Sequence, residues 1–226
     1  MDSDTGTNSA PRRLITPRRA LIALVVLLLG AGALGAFMRG GQGRSVAEEF
    51  VHAFSEQRGM RLVGERWPEI LQAAKKENLD PSLVAGVMWS ESRGVSGRTS
   101  SAGALGLMQL VHSAAGDAAR RLGVEAPDAG ALLHDDALNL ALGCNHLAWI
   151  RDSTPEWNVE ALLVAYNTGR GRLLKWCEEA GSFELWVASQ ETRHADGRPL
   201  SPALVYARET LRVSALFRER FAGEEP

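Results

Sequence analysis

A mostly α-helical domain behind one N-terminal transmembrane anchor helix is the fold class this sequence predicts, and three observations predict it. Apolar residues recur at three- and four-residue spacing in one stretch after another, the pattern of helices with one buried face. No stretch alternates apolar and polar residues over several positions, so no strand is expected. One run, Ala20 to Met38 (ALIALVVLLLGAGALGAFM), holds nineteen residues and not one charge. At 226 residues, one domain plus appendages is the natural organisation. A net charge of −2 supplies no global field to recruit nucleic acid.

Residues 1–19 are polar, carry two prolines, and read as a disordered cytoplasmic tail. Residues 20–38 are long enough to cross a hydrocarbon core of about 30 Å as a helix. Arg12, Arg13, Arg18 and Arg19 precede this segment, whereas only Arg39 and Arg44 follow it closely. The positive-inside rule then leaves the tail in the cytoplasm and places the rest on the far side of the membrane. The rival reading is a cleaved signal peptide, for which Ala31, Gly32, Ala33, Gly35 and Ala36 offer small residues. Residues 39–65 are a glycine-rich tether and a lead-in helix from Val46 to about Arg58.

Residues 66–221 form the folded domain. A helix from Trp67 to about Asn78 sets Ile70, Leu71, Ala73 and Ala74 against Glu69, Lys75 and Lys76. Asp80 is placed to cap the next helix, with Pro81 at its first position. That helix runs to about Ser92 with Leu83, Val84, Val87 and Met88 as core positions, and it delivers Glu91 at its C-terminal end. A Ser/Gly/Arg/Thr loop follows, and helical spacing resumes at Leu107, Met108 and Leu110. Further helices are expected over Asp135–Ile150, from an Asn158 cap to Tyr166, over Arg172–Glu179, and from Pro202 to about Phe221, with Phe183–Val187 packing between the last two.

Glu91 carries the chemical signal. Apolar neighbours, a turn, and a helix C-terminus that disfavours negative charge all raise a carboxyl pKa. A carboxylic acid that keeps its proton near neutral pH can donate it to a glycosidic oxygen. Two-carboxylate glycosidases need a second acid. The nearest candidates, Asp117, Glu178 and Glu179, read as solvated face residues. The five histidines are scattered without ligand spacing, so neither a metal nor a cofactor is expected. Cys144 and Cys177 lie beyond the membrane segment, where a disulfide is possible, although two buried thiols fit as well.

Three motifs in order carry a resemblance: Glu91-Ser92-Arg93, then Ala102-Gly103-Ala104-Leu105-Gly106-Leu107-Met108-Gln109-Leu110, then Ala165-Tyr166-Asn167-Thr168-Gly169. They are similar to those of the soluble lytic transglycosylase (SLT) domain, within the lysozyme-like superfamily. Between the second and third motifs, the spacing D-x-x-N-x-x-x-G-x-x-x-L is similar to the family's intervening helix. The resemblance implies a peptidoglycan lytic transglycosylase that cleaves the bond between N-acetylmuramic acid and N-acetylglucosamine. Glu91 would act first as acid. As base it would then take the C6 hydroxyl proton, closing a 1,6-anhydro ring. It implies further that Ser100, Met108, Gln109, Tyr166 and Asn167 face the substrate, with the Tyr166 hydroxyl near the acid. Peptidoglycan strands, the inner membrane, and cell-wall synthesis or secretion machinery are the partners implied, with catalysis in the periplasm. A hydrolytic muramidase of goose type and a non-catalytic glycan-binding scaffold are the alternatives. The chain departs from the family at Gly94, at Val111-His112, and in an insertion from Ala195 to Pro202 that separates Glu191-Thr192-Arg193 from Tyr206.

Overall fold

The structure, a computed structural model, describes residues 46–224. The tail, the apolar span 20–38 and the tether lie outside the described residues, as do the side chains of Val46 and Phe50. The chain divides into residues 1–55 and Glu56–Pro226. Of the first unit, residues 46–55 are described, as the opening turns of a helix that runs Val46–Gly64 (α1). No helix among the described residues is long and apolar enough to cross a membrane.

Beyond α1 the described residues form nine more helices. These are α2 (Trp67–Lys76), α3 (Pro81–Ser92), α4 (His112–Leu122), α5 (Ala129–His134), α6 (Asp136–Ser153), α7 (Val159–Thr168), α8 (Arg170–Ala180), α9 (Phe183–Ala195) and α10 (Pro202–Arg220). The caps are those the sequence marks. The Asp80 carboxylate accepts from Ser82 N at 2.8 Å, and Asn158 Oδ1 accepts from Ala161 N at 2.9 Å. Asp128, Asp135 and Ser182 cap α5, α6 and α9 in the same way.

α3 is the centre of the domain. It is apolar on every side and buries Leu83, Val84, Ala85, Val87, Met88 and Trp89, as a helix surrounded by others must. Its main neighbour is α10. A Cβ on Gly86 would stand 2.0 Å from Ser214 Oγ and 2.9 Å from the Thr210 carbonyl, so this glycine lets the two backbones approach. The far end of α10 is fixed by Phe221, whose ring stacks on Trp67 at 4.1 Å.

One expectation needs correction. The segment Leu107–Leu110 is not helical. It forms turns closed by isolated bridges between Thr99 and Leu105 and between Leu105 and Leu110. Gly103 and Gly106 take positive φ there, and so does Gln109 at 47°, a conformation no helix accommodates. Residues 129–134, to which the sequence assigned no element, fold as the short helix α5. Cys144 and Cys177 are free thiols rather than a disulfide. Cys144 is fully buried, and that burial pushes its pKa up to about 12.

Candidate active site

The C-terminal turn of α3 presents Glu91 to a cleft of about 570 Å³. α4, the loop 99–111, α6, α7 and the start of α8 complete its walls. Arg93, the nearest basic residue in sequence, does not reach the carboxylate. It takes the left-handed cap position of α3, and its guanidinium lies 3.3 Å from the centre of the Trp89 ring. Glu91 is therefore half-buried beside no cation, and burial pushes its pKa up from 4.5 to about 7. A hydrogen bond from the Tyr206 hydroxyl to Oε1, 2.6 Å long, opposes that shift without cancelling it.

Tyr206 is the residue the sequence reading missed. The expectation gave the tyrosine beside the acid to the third motif, yet the Tyr166 hydroxyl donates to the Met108 carbonyl at 2.9 Å. Tyr206 comes from α10, beyond the insertion. The signal that could have found it was the Glu191-Thr192-Arg193 run, which the family follows closely with a tyrosine. Tyr206 is tied back in turn, since Thr210 Oγ1 donates to its carbonyl and meets Ser90 Oγ at 2.7 Å across α3 and α10.

The second motif is a scaffold as much as a lining. Asn139, fully buried on α6, donates to the carbonyls of Leu105 (3.0 Å) and Leu132 (2.9 Å) and accepts from Met108 N (2.8 Å). One side chain thus holds the loop against two helices. A Cβ on Gly106 would stand 2.3 Å from the Asn139 amide, so the loop can seat on it only through a glycine. Gln109 lines the cleft, and its amide donates to the Arg98 and Gly106 carbonyls, which holds its left-handed backbone.

The sequence-predicted residues therefore divide. Glu91, Ser100, Gln109, Tyr166 and Asn167 all line this cleft. The Ser100 hydroxyl accepts from Ala104 N at 2.9 Å, bracing the loop from within. Asn167 is exposed at the end of α7. Met108 does not line the cleft. Its side chain is fully buried, with a Cβ placed on Gly143 coming within 2.6 Å of it, so it supports the floor rather than facing outward. Of the other acids, Glu178 and Glu179 belong to separate grooves near α9. Asp117 lines the same cleft as Glu91, but it is half-exposed and bonded to Arg120.

Among the described residues, no group of three or more His, Cys, Asp or Glu side chains is placed to hold a metal ion. The arrangement offers one protonated carboxyl near neutral pH, one phenol bonded to it, and amides and hydroxyls around an open groove. That set can donate a proton to a leaving oxygen and then take one back.

Comparison with known proteins gives a consistent result. Residues 68–188 match the family described as "Transglycosylase SLT domain". The membrane-bound lytic murein transglycosylase C of Actinobacillus pleuropneumoniae is 35% identical over 115 residues, which is 48% of this chain and 32% of that protein. The protein of the same name from Salmonella paratyphi B is 32% identical over 138 residues, 58% of this chain and 37% of that one. The chain thus spans about a third of the length of these relatives. Among solved structures, the lytic transglycosylase Slt from Pseudomonas aeruginosa superposes with a TM-score of 0.57 at 23% identity, covering 69% of this chain and 24% of that one. The 70 kDa soluble lytic transglycosylase in its complex with bulgecin A gives a TM-score of 0.60 at 20% identity, over 97% and 38% of the two chains. At those identities the superpositions speak for the fold.

Proposed function

The chain belongs to the Transglycosylase SLT domain family, and from that premise we propose that it is a peptidoglycan lytic transglycosylase. It cleaves the β-1,4 bond between N-acetylmuramic acid and N-acetylglucosamine. The observation that carries this reading is Glu91, a half-buried carboxyl pushed up to about 7 and facing an open cleft. The names of the relatives, lytic murein transglycosylase C, agree with it.

In this reading Glu91 holds its proton at neutral pH and delivers it to the glycosidic oxygen. The substrate's own N-acetyl group stabilises the cationic centre, the recognised alternative to a second carboxylate. Glu91, now ionised, removes the proton from the C6 hydroxyl, whose oxygen closes the 1,6-anhydro ring. The Tyr206 hydroxyl steadies the carboxylate between these two steps, because it donates to the charged form. Ser100, Gln109, Tyr166 and Asn167 hold the sugars, and Met108 supports them from beneath.

Residues 20–38 are the membrane anchor in this reading, with the domain in the periplasm. Their charge-free sequence supports that role, as does the word "membrane-bound" in the relatives' names.

The test is digestion of purified sacculi by the wild type and by Glu91→Gln, with products resolved by mass spectrometry. Anhydro-muropeptides from the wild type and none from the variant are expected. Asp117 on the same cleft favours a second reading, a hydrolase that uses this residue as base for a water. Products with reducing ends, lost in Asp117→Asn, would select that alternative.

A further inference from the structure

One wall of the cleft carries more than the acid chemistry requires. On α6, His146 and Trp149 stand one helical turn apart, and both line the cleft. The His146 ring lies 5.7 Å from that of Tyr166 and 5.7 Å from that of Trp149, so three rings run in a row along this wall. Two guanidinium groups sit over the last of them. Arg121, at the end of α4, is 5.1 Å from the centre of the Trp149 ring, and Arg170, the first residue of α8, is 5.8 Å from it.

The bonds these arginines make position them without a carboxylate in direct contact, although Asp117 and Glu77 lie near enough to Arg121 to favour its charged form. Arg121 Nε donates to Asn145 Oδ1 at 2.8 Å, and Asn145 in turn holds the Glu77 carboxylate. Arg170 Nη2 donates to the Ser153 carbonyl at 3.1 Å, while its Nε is buried without a hydrogen-bond partner. Among the described residues neither forms an ion pair. Asp117, the acid on this wall, is bonded to Arg120. Burial and the neighbouring Arg121 push the His146 imidazole down to about 4, so it stays neutral and the wall's positive charge rests on the arginines. A neutral sugar chain gains nothing from two such groups. An anionic one does, because a guanidinium fork matches a carboxylate.

We propose that Arg170 and Arg121, held over Trp149, form a subsite that reads a carboxylate on a sugar lying along the Tyr166, His146 and Trp149 row. The inference rests on the glycan reading above. In peptidoglycan the carboxylate has two sources: the lactyl group of a muramic acid bare of peptide, or the stem peptide attached to it.

The experiment uses the full chain carrying Glu91→Gln, so that strands are bound and not consumed. Titration calorimetry compares peptide-bearing strands, amidase-stripped strands with free lactyl carboxylates, and neutral chitooligosaccharides. An anionic probe is expected to bind at least about tenfold tighter than the neutral one, with a preference that shrinks as salt is added. Which anionic probe is preferred identifies the source. Adding Arg170→Gln should cut the ratio of affinities about tenfold, and Arg170→Lys should restore part of it. Equal binding of all three probes overturns the proposal, and so does an unchanged ratio in an Arg170→Gln protein whose thermal unfolding matches its parent. Binding of none overturns it together with the glycan reading. Anion-selective binding by a chain whose wild type leaves sacculi uncut upholds the subsite and overturns only the chemistry.

Discussion

Tyr206 donates a 2.6 Å hydrogen bond to Glu91 across 115 positions of sequence, so the acid and its donor meet only where α3 and α10 pack. The bond favours the ionised carboxylate and restrains the rise in pKa that burial causes. In Tyr206→Phe the Glu91 pKa should therefore rise further, and the alkaline limb of the pH–rate profile should move up by about one unit. The rate at the optimum should fall roughly tenfold, because the carboxylate loses its anchor when it must act as base. Steady-state rates on sacculi from acid to alkaline pH check both effects.

The wild-type profile itself is constrained. In the proposed reaction Glu91 donates only while protonated, and burial pushes its pKa up to about 7. Turnover should decline as pH rises through that value, approaching a tenfold loss per unit on the alkaline side. A profile still flat well above neutral pH would remove Glu91 as the acid.

The same shift has a sign for stability. The folded chain holds the Glu91 proton more tightly than the unfolded chain, whose value is 4.5. This group's contribution is present in full below 4.5 and is lost as pH rises through about 7. A neutral glutamine avoids that loss. Glu91→Gln should be more stable than wild type at alkaline pH, by on the order of 2 kcal/mol, and the difference should vanish in acid. Urea unfolding on both sides of neutrality measures it.

Asn139→Leu removes three hydrogen bonds at once and leaves the Leu105 and Leu132 carbonyls and the Met108 N–H buried without that partner. The expected cost is about 3 kcal/mol in urea unfolding. The loop 99–111 should also become more accessible to proteolysis, since Asn139 holds it to α6.

Gly86→Ala tests the crossing of α3 and α10. The added methyl meets the Thr210 carbonyl at 2.9 Å and the Ser214 hydroxyl at 2.0 Å, so the helices must part. Destabilisation of about 2 kcal/mol is expected. Activity should fall further than stability explains, because Glu91 and Tyr206 separate with the helices.

Much of this was legible in the sequence, for reasons that can be named. The caps at Asp80 and Asn158 are local, and each announces its helix within three residues. The placement of Glu91 at a helix end followed from the same signals, and its raised pKa from its apolar neighbours. The loop around Met108 misled because Leu107, Met108 and Leu110 have helical spacing. All three are buried through turns instead, and what forces the turns is Asn139, far along the chain, together with the positive φ of Gly106 and Gln109. Tyr206 was harder to place, because the insertion from Ala195 to Pro202 parts it from the Glu191-Thr192-Arg193 run that signals it, and its bond to Glu91 depends on how α3 and α10 cross. Met108 sits under the cleft rather than in it because Gly143 opens a hollow for it on α6, a fit visible only in three dimensions.

The docking of α10 has a consequence for the history of each molecule. All three motifs have been synthesised by residue 169, yet the phenol that completes the acid arrives later, at position 206. A nascent chain that stops before Pro202 carries every signature residue while its carboxyl still lacks that hydroxyl donor. Assembly of the Glu91–Tyr206 pair thus coincides with closure of the domain, and an unfinished copy carries the motifs without that bond.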